Sequence, residues 1–231
     1  MTIKVPIKGT VISNDDAEIY DWLGYEYASP KAVNEAITNA NPGEPVEVNI
    51  NSGGGSVFAA SEIYSALQGY NGKVTVNIQG LAASAASVIA MAGDEVNMSP
   101  TGQLMIHKAA TMAFGNSDDF SHDSKMLDTA DQSIVNAYEA KTGMGRDQIL
   151  QMMADETWMD AKTALDKGFV DSIITRKQPE VVNSISAPEL TAEAKDKIRN
   201  LLAKVRSQPA APVETTEKSL KQQKLDILKG E

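Results

Sequence analysis

The chain has 231 residues, 42% of them hydrophobic, which is enough for one α/β domain with a buried core and an appendage. It contains no Cys, so a disulfide framework, a thiolate metal site and a Cys nucleophile are all excluded. A formal net charge of −10, with no cluster of Lys and Arg, speaks against nucleic acid and anionic membranes as partners.

The opening MTIKVPIKGTVISNDD lacks the apolar core of a signal peptide. The longest run of small apolar residues, 81–93, is too short to cross a bilayer. The expectation is therefore a soluble, cytoplasmic protein. Residues 4–12 place Val and Ile among polar residues and read as a strand. Residues 30–39 read as a helix with Ser29 as N-cap and Pro30 at the first helical position. PVEVNI, residues 45–50, alternates like a strand and runs into a turn, NSGGGS, after which 57–67 has helical spacing. KVTVNI, residues 73–78, is a second such strand, followed by Gly80 and a small-residue helix over 84–91. Short strands are expected at 95–98 and at 103–107 (QLMIH). A long polar helix then covers 117–142 up to Gly143, and a shorter helix covers 146–155. Residues 157–159 read as extended, 160–167 as a helix stopped by Gly168, and 169–174 as a last strand. Repeated strand–helix units of this kind imply a mostly parallel sheet with right-handed crossovers.

Composition changes near residue 178. From Gln178 onward there are 9 Lys and Arg against 8 Asp and Glu, whereas 1–177 holds 12 against 23. This divides the chain into a domain over 1–177 and a C-terminal tail over 178–231. In the tail, 189–205 has helical spacing, SQPAAPVETTE is a linker, and 218–229 reads as a second short helix. The tail is expected to be helical or mobile and engaged with a partner.

Three segments can carry chemistry. Of the two histidines, His122 sits in the acidic run SDDFSHDSK, where a solvated residue is the simple reading. His107 ends the apolar run LMI at the C-terminal end of a strand, where α/β folds bind ligands; a buried structural imidazole is the competing reading. In GLAASAAS, Gly80 permits a tight turn that can place Ser84 at a helix N-terminus, near N–H groups able to stabilise an oxyanion. A close-packed small-residue helix explains the same residues, and Ser87, one turn on, fits packing better than chemistry. NSGGGS, residues 51–56, lets backbone approach a ligand closely, or is merely a flexible turn. It matches neither a Walker A loop nor a dinucleotide fingerprint.

In order, INSGGGS, GLAAS, LMIH and ETWMDAKTALDKGFVDSI resemble the ClpP peptidase family, which typically shows INSPGGS, GxAAS, MIH and an acidic residue before an element ending in GLVD. The resemblance covers about 1–175, and PIKGTVISNDDAEIYDWLG resembles the phage subgroup, the head maturation proteases. It implies an α/β fold of ClpP/crotonase-like repeated ββα units with a parallel sheet. It further implies a serine endopeptidase with Ser84 as nucleophile and His107 as base. Glu156 stands where the family has its triad Asp, with Asp155 as the alternative. Gly55 (or Gly54) and Ala85 take the places of the oxyanion-hole donors. Gly53, Gly54 and Ser56 take the places of the peptide-binding segment, with Gly53 where the family has Pro. The implied chemistry needs no metal, nucleotide or other cofactor. The implied partners are a protein or peptide substrate, copies of the chain in a homo-oligomeric ring (heptamer or double heptamer) joined through the helix over 118–141, and a phage scaffold or capsid protein. The implied setting is host cytoplasm or a phage prohead. The alternatives are a degradative ClpP working with an ATPase unfoldase, a crotonase-class acyl-CoA enzyme and a non-catalytic shell protein.

Overall fold

Alternation of β-branched and polar residues builds the sheet. A computed structural model describes residues 2–41 and 43–175; the expected 177/178 boundary, the 189–205 helix, the SQPAAPVETTE linker and the 218–229 helix lie outside the described residues. Strand β1 is Ile3–Val11, and a 3-10 turn (Asn14–Asp16) leads into helix α1 (Ala17–Leu23) and β2 (Tyr27–Ala28). Then come α2 (Pro30–Thr38), β3 (Val46–Gly55), α3 (Val57–Gln68), β4 (Val74–Ala83) and α4 (Ala85–Ala90). Next are β5 (Glu95–Met98), β6 (Gln103–Ile106), α5 (Ser117–Thr142) and α6 (Arg146–Ala154). The described part ends with β7 (Thr157–Asp160), α7 (Ala161–Asp166) and β8 (Ser172–Ile173).

The strand order is β2-β1-β3-β4-β5-β8, and all these neighbours are parallel, as the strand–helix alternation predicts. Strand β4 has a second partner. Its first half pairs with β5, whereas Leu81, Ala82 and Ala83 pair with Gln103, Leu104 and Met105 of β6. Strand β7 returns antiparallel along β6, which the sequence did not reveal.

The two faces of the sheet differ. On one, Val5, Ile7, Val48, Ile50, Val76, Ile78, Val96 and Met98 are at most 1% exposed and pack in one core with Ile63, Leu67, Ile89 and Tyr138 from the helices. On the other, Glu47, Asn49, Thr75, Asn77, Glu95 and Asn97 lie in matching rows and are half-buried. There Asn49 donates to Glu47 (3.0 Å) and Asn97 to Asn77 (3.4 Å). Helices on a single face explain why these parallel strands alternate in hydropathy, where strands buried on both faces would be apolar throughout.

Local signals account for most helix ends. Ser29 Oγ accepts the Ala32 N–H (3.4 Å) ahead of Pro30, as expected. Asn116 and Asp119 form a capping box at the start of α5, and Gly143 (φ 70°) ends it. The buried residues of α5, from Asp131 to Tyr138, lie in its C-terminal half, while Met126, in its N-terminal half, is exposed. The 3-10 turn, α1 and β2 had no clear periodic signal. Strands β3 and β4 both outrun their expected ends, so NSGGG is extended strand rather than turn, and Gly80 lies inside β4. Neighbouring strands cause this: β1 pairs Thr10 with Gly54 and Val11 with Gly55, while β6 extends β4. The last strand is shorter than expected, two residues rather than 169–174. No helix among the described residues is long and apolar enough to cross a membrane.

Ile78 lies at the middle of β4 and is fully buried. Ile78→Ala should lower the unfolding free energy by about 2–5 kcal/mol, because a cavity opens between sheet and helices. Urea denaturation followed by circular dichroism measures this.

Candidate active site

Pairing of β4 with β6 brings two strand ends together. Ser84 follows Ala83, the last residue of β4, and His107 follows Ile106, the last residue of β6. The Ser84 N–H donates to the Met105 carbonyl (3.0 Å), which continues the ladder to the point where the chain turns into α4. Ser84 Oγ lies 2.7 Å from His107 Nε2. The two residues with the most specific sequence signals, 23 positions apart, are therefore in hydrogen-bond contact.

The backbone at Ser84 is unusual. Its φ of 54° and ψ of −128° lie where an L-residue is strained. A nucleophilic serine at a sharp strand-to-helix turn shows the same strain, which exposes the hydroxyl above the sheet. Behind it, Ala85, Ala86, Val88, Ile89 and Ala90 of α4 are all buried. Small side chains let α4 sit close under the sheet, so the packing reading of GLAASAAS holds.

The glycine run approaches Ser84 directly. A Cβ on Gly54 (φ 97°) would lie 2.7 Å from Ser84 Cβ and 2.9 Å from the Ala85 nitrogen. A Cβ on Gly55 (φ 147°) would lie 2.1 Å from the Val11 carbonyl oxygen. Gly53 is exposed, and a groove of about 520 Å³ runs along Asn51 to Gly55 and Leu81. The Gly54 N–H already donates to Ser52 Oγ (3.1 Å), whose hydroxyl donates to the Gly9 carbonyl (2.6 Å). Ser56 serves the fold: its hydroxyl oxygen accepts the Ala59 N–H (3.3 Å) at the start of α3, and its own N–H donates to Val11 (2.8 Å).

The two carboxylate candidates are less engaged. The β6–β7 register ends on the pair Ile106–Thr157, so His107 and Glu156 are the residues that leave the ladder at that end. Glu156 is exposed, has a φ of 47°, and accepts a hydrogen bond from Trp158 Nε1 (3.2 Å). Asp155 accepts one from Gln151 Nε2 (2.9 Å). Among the described residues the one side-chain hydrogen bond of His107 is to Ser84. The structure thus joins Ser84 to His107, and the hydrogen bond of the Glu156 side chain goes to Trp158 rather than to the imidazole. His122 lies on the exposed part of α5.

Sequence reasoning missed Asp131. This carboxylate is 4% exposed, accepts the Ala109 N–H (2.7 Å) and lies 4.0 Å from Lys108 Nζ. It therefore ties down the segment that leaves His107. Its signal is present: Asp131 shares the stripe of Ile134, Val135 and Tyr138 at helical spacing, and a carboxylate on an apolar face requires a partner.

A serine hydroxyl bonded to an imidazole at adjoining strand ends is the reacting pair of a serine hydrolase. The Clp protease family model matches residues 34–177, and the chain belongs to that family. It is 28% identical over 140 residues to an ATP-dependent Clp protease proteolytic subunit of Deinococcus radiodurans, covering 60% of this chain and 69% of the relative. It is 32% identical over 138 residues to the ATP-dependent Clp protease proteolytic subunit 1 of Chlamydia abortus, covering 58% and 72%. Its fold is similar to that of a ClpP1 mutant from Listeria monocytogenes, with a TM-score of 0.61 and 23% identity over 75% of this chain and 92% of that one.

The neighbouring acids separate by substitution. Glu156→Gln is expected to lower turnover by at least about ten-fold, because an amide in place of that acid disfavours the productive imidazole tautomer. Asp155→Asn is expected to change it less than about two-fold. Steady-state turnover of a peptide substrate by each variant checks the order; equal, small effects would remove Glu156 from the site.

Proposed function

We propose that the chain is a ClpP-type serine endopeptidase, and the observation that carries this is the 2.7 Å contact between Ser84 Oγ and His107 Nε2 on a strained strand-to-helix turn. His107 Nε2 takes the hydroxyl proton as Ser84 Oγ attacks the peptide carbonyl. The tetrahedral oxyanion is held by the Ala85 N–H and one glycine N–H. Gly55 suits that role better than Gly54, whose N–H donates to Ser52. Collapse of the intermediate transfers the proton from His107 to the leaving amine and leaves an acyl-serine. Water, deprotonated by the same imidazole, then releases the acid and restores Ser84. Glu156 orients the imidazole once it turns from Trp158.

Extended substrate binds along Gly53 to Gly55. Strand β1 occupies one side of that segment, so only the side where the β3–β4 ladder stops, at Ser52 and Ala82, is open to a peptide. The Ser–His contact favours the peptidase reading over the acyl-CoA and shell-protein alternatives, since neither needs it. For the biological setting, the names of the bacterial relatives support a proteolytic subunit serving an ATPase better than they support phage head maturation. The head-maturation reading rests on the resemblance of PIKGTVISNDDAEIYDWLG alone. Ring assembly through α5 accords with the exposed apolar Phe120 and Met126 in its N-terminal half.

A fluorophosphonate probe should label the full-length chain at Ser84, located by peptide mass mapping. Ser84→Ala and His107→Ala should each lose labelling and peptidase activity by roughly four or more orders of magnitude, with the double variant no worse. His122→Ala should stay within about two-fold of wild type. Labelling at Ser87, or activity retained by Ser84→Ala, would overturn the reading.

A further inference from the structure

Beneath the nucleophile lies a buried pair of hydroxyls that the reaction does not consume. Ser87, fully buried in α4, donates its Oγ–H to the Ser84 carbonyl (2.6 Å), and its N–H donates to the same oxygen (2.9 Å). Two donors of one residue therefore converge on that carbonyl. Ser87 Oγ also lies 2.7 Å from the hydroxyl of Tyr138, which is 1% exposed and belongs to α5. A carbonyl only accepts, so the Ser87 proton is committed to Ser84 and Tyr138 must be the donor to Ser87. Desolvation by complete burial raises the Tyr138 pKa far above its ordinary value, so the hydroxyl stays protonated and able to donate.

The consequence follows from peptide geometry. The Ser84 carbonyl and the Ala85 N–H belong to one planar trans unit and point in opposite directions. A carbonyl drawn inward to Ser87 turns the Ala85 N–H outward, toward the side of the nucleophile. The same two bonds hold ψ of Ser84 at −128°, a value the residue would not keep unsupported.

We propose that Tyr138 and Ser87 form a hydroxyl relay that positions the Ser84–Ala85 peptide unit, aiming the Ala85 N–H as an oxyanion donor and holding the Ser84 backbone in its reactive conformation. Both are positioning residues, and the inference rests on the reading of Ser84 as nucleophile. The relay also connects α5 to the reacting centre, because Tyr138 is held in place by Phe169 (ring centroids 5.7 Å apart, 63° between planes) and by the helix itself.

The test is a double-variant cycle on the full-length chain, read with a fluorophosphonate as the maximal inactivation rate and the half-saturating probe concentration. Tyr138→Phe keeps the ring and its contact with Phe169 and removes one hydroxyl. It should lower the maximal rate about ten- to a hundred-fold and leave half-saturation within about two-fold, since orientation rather than binding is lost. Ser87→Ala should lower the rate at least as much. The variant carrying both changes should match Ser87→Ala alone, because the hydroxyls act in series. Melting temperatures of the same samples establish that each variant is folded. An unchanged rate in Tyr138→Phe, or losses that multiply in the double variant, would overturn the relay while Ser84 labelling of the wild type stands. Absence of Ser84 labelling in the wild type would overturn the peptidase reading and the relay together.

Discussion

The contact between Ser84 and His107 depends on one feature of the sheet, the change of partner along β4. Its first half lies against β5 and its last three residues against β6. Without that change, the loop after β5 would carry His107 away from the end of β4. With it, two parallel strands end side by side, and their next residues, Ser84 and His107, are in hydrogen-bond contact. The antiparallel return of β7 then brings Thr157, the neighbour of Glu156, against Ile106, the neighbour of His107. Three residues far apart in sequence are placed by the pairing of three short strand segments, each held by backbone hydrogen bonds that are insensitive to side-chain identity.

Strain concentrates at the candidate site. The described non-glycine residues with positive φ are Ser84 and Glu156, two of the candidate site residues. Each left-handed residue costs on the order of 1–3 kcal/mol, so the surroundings must compensate. At Ser84 they do so through buried small residues, the Met105 carbonyl that accepts its N–H, and the two bonds from Ser87. Gly54 completes the support by leaving room: any side chain there would meet Ser84 and Ala85.

Helix α5 is tied to both halves of the pair. Tyr138 reaches the Ser84 turn through Ser87, and Asp131 holds Ala109, two residues beyond His107. These two residues lie seven apart, on one face of the helix, separated by about 10 Å along its axis. The N-terminal half of the same helix is exposed and carries Phe120 and Met126. Whatever binds that half is thus linked by one rigid element to the reacting residues.

Much of this protein is determined locally, and the sequence alone showed it. Alternating Val and Ile placed the main strands, Ser29 and Pro30 started α2, and Gly143 ended α5, because these signals act within a few residues. GLAAS and LMIH singled out Ser84 and His107 because both are short motifs at strand ends, though not that the two side chains meet. Tertiary structure decided what depends on distant partners. Strand β1 makes NSGGG extended, β6 carries β4 past Gly80, and β7 runs antiparallel, none of which a local pattern encodes. Only the folded chain shows that Ser56 caps α3, that Ser87 bonds the Ser84 carbonyl and Tyr138, and that Asp131 holds Ala109. A hydrogen bond between residues 51 positions apart, as from Tyr138 to Ser87, leaves no periodic trace in the sequence, because it exists only once α4 and α5 have packed together.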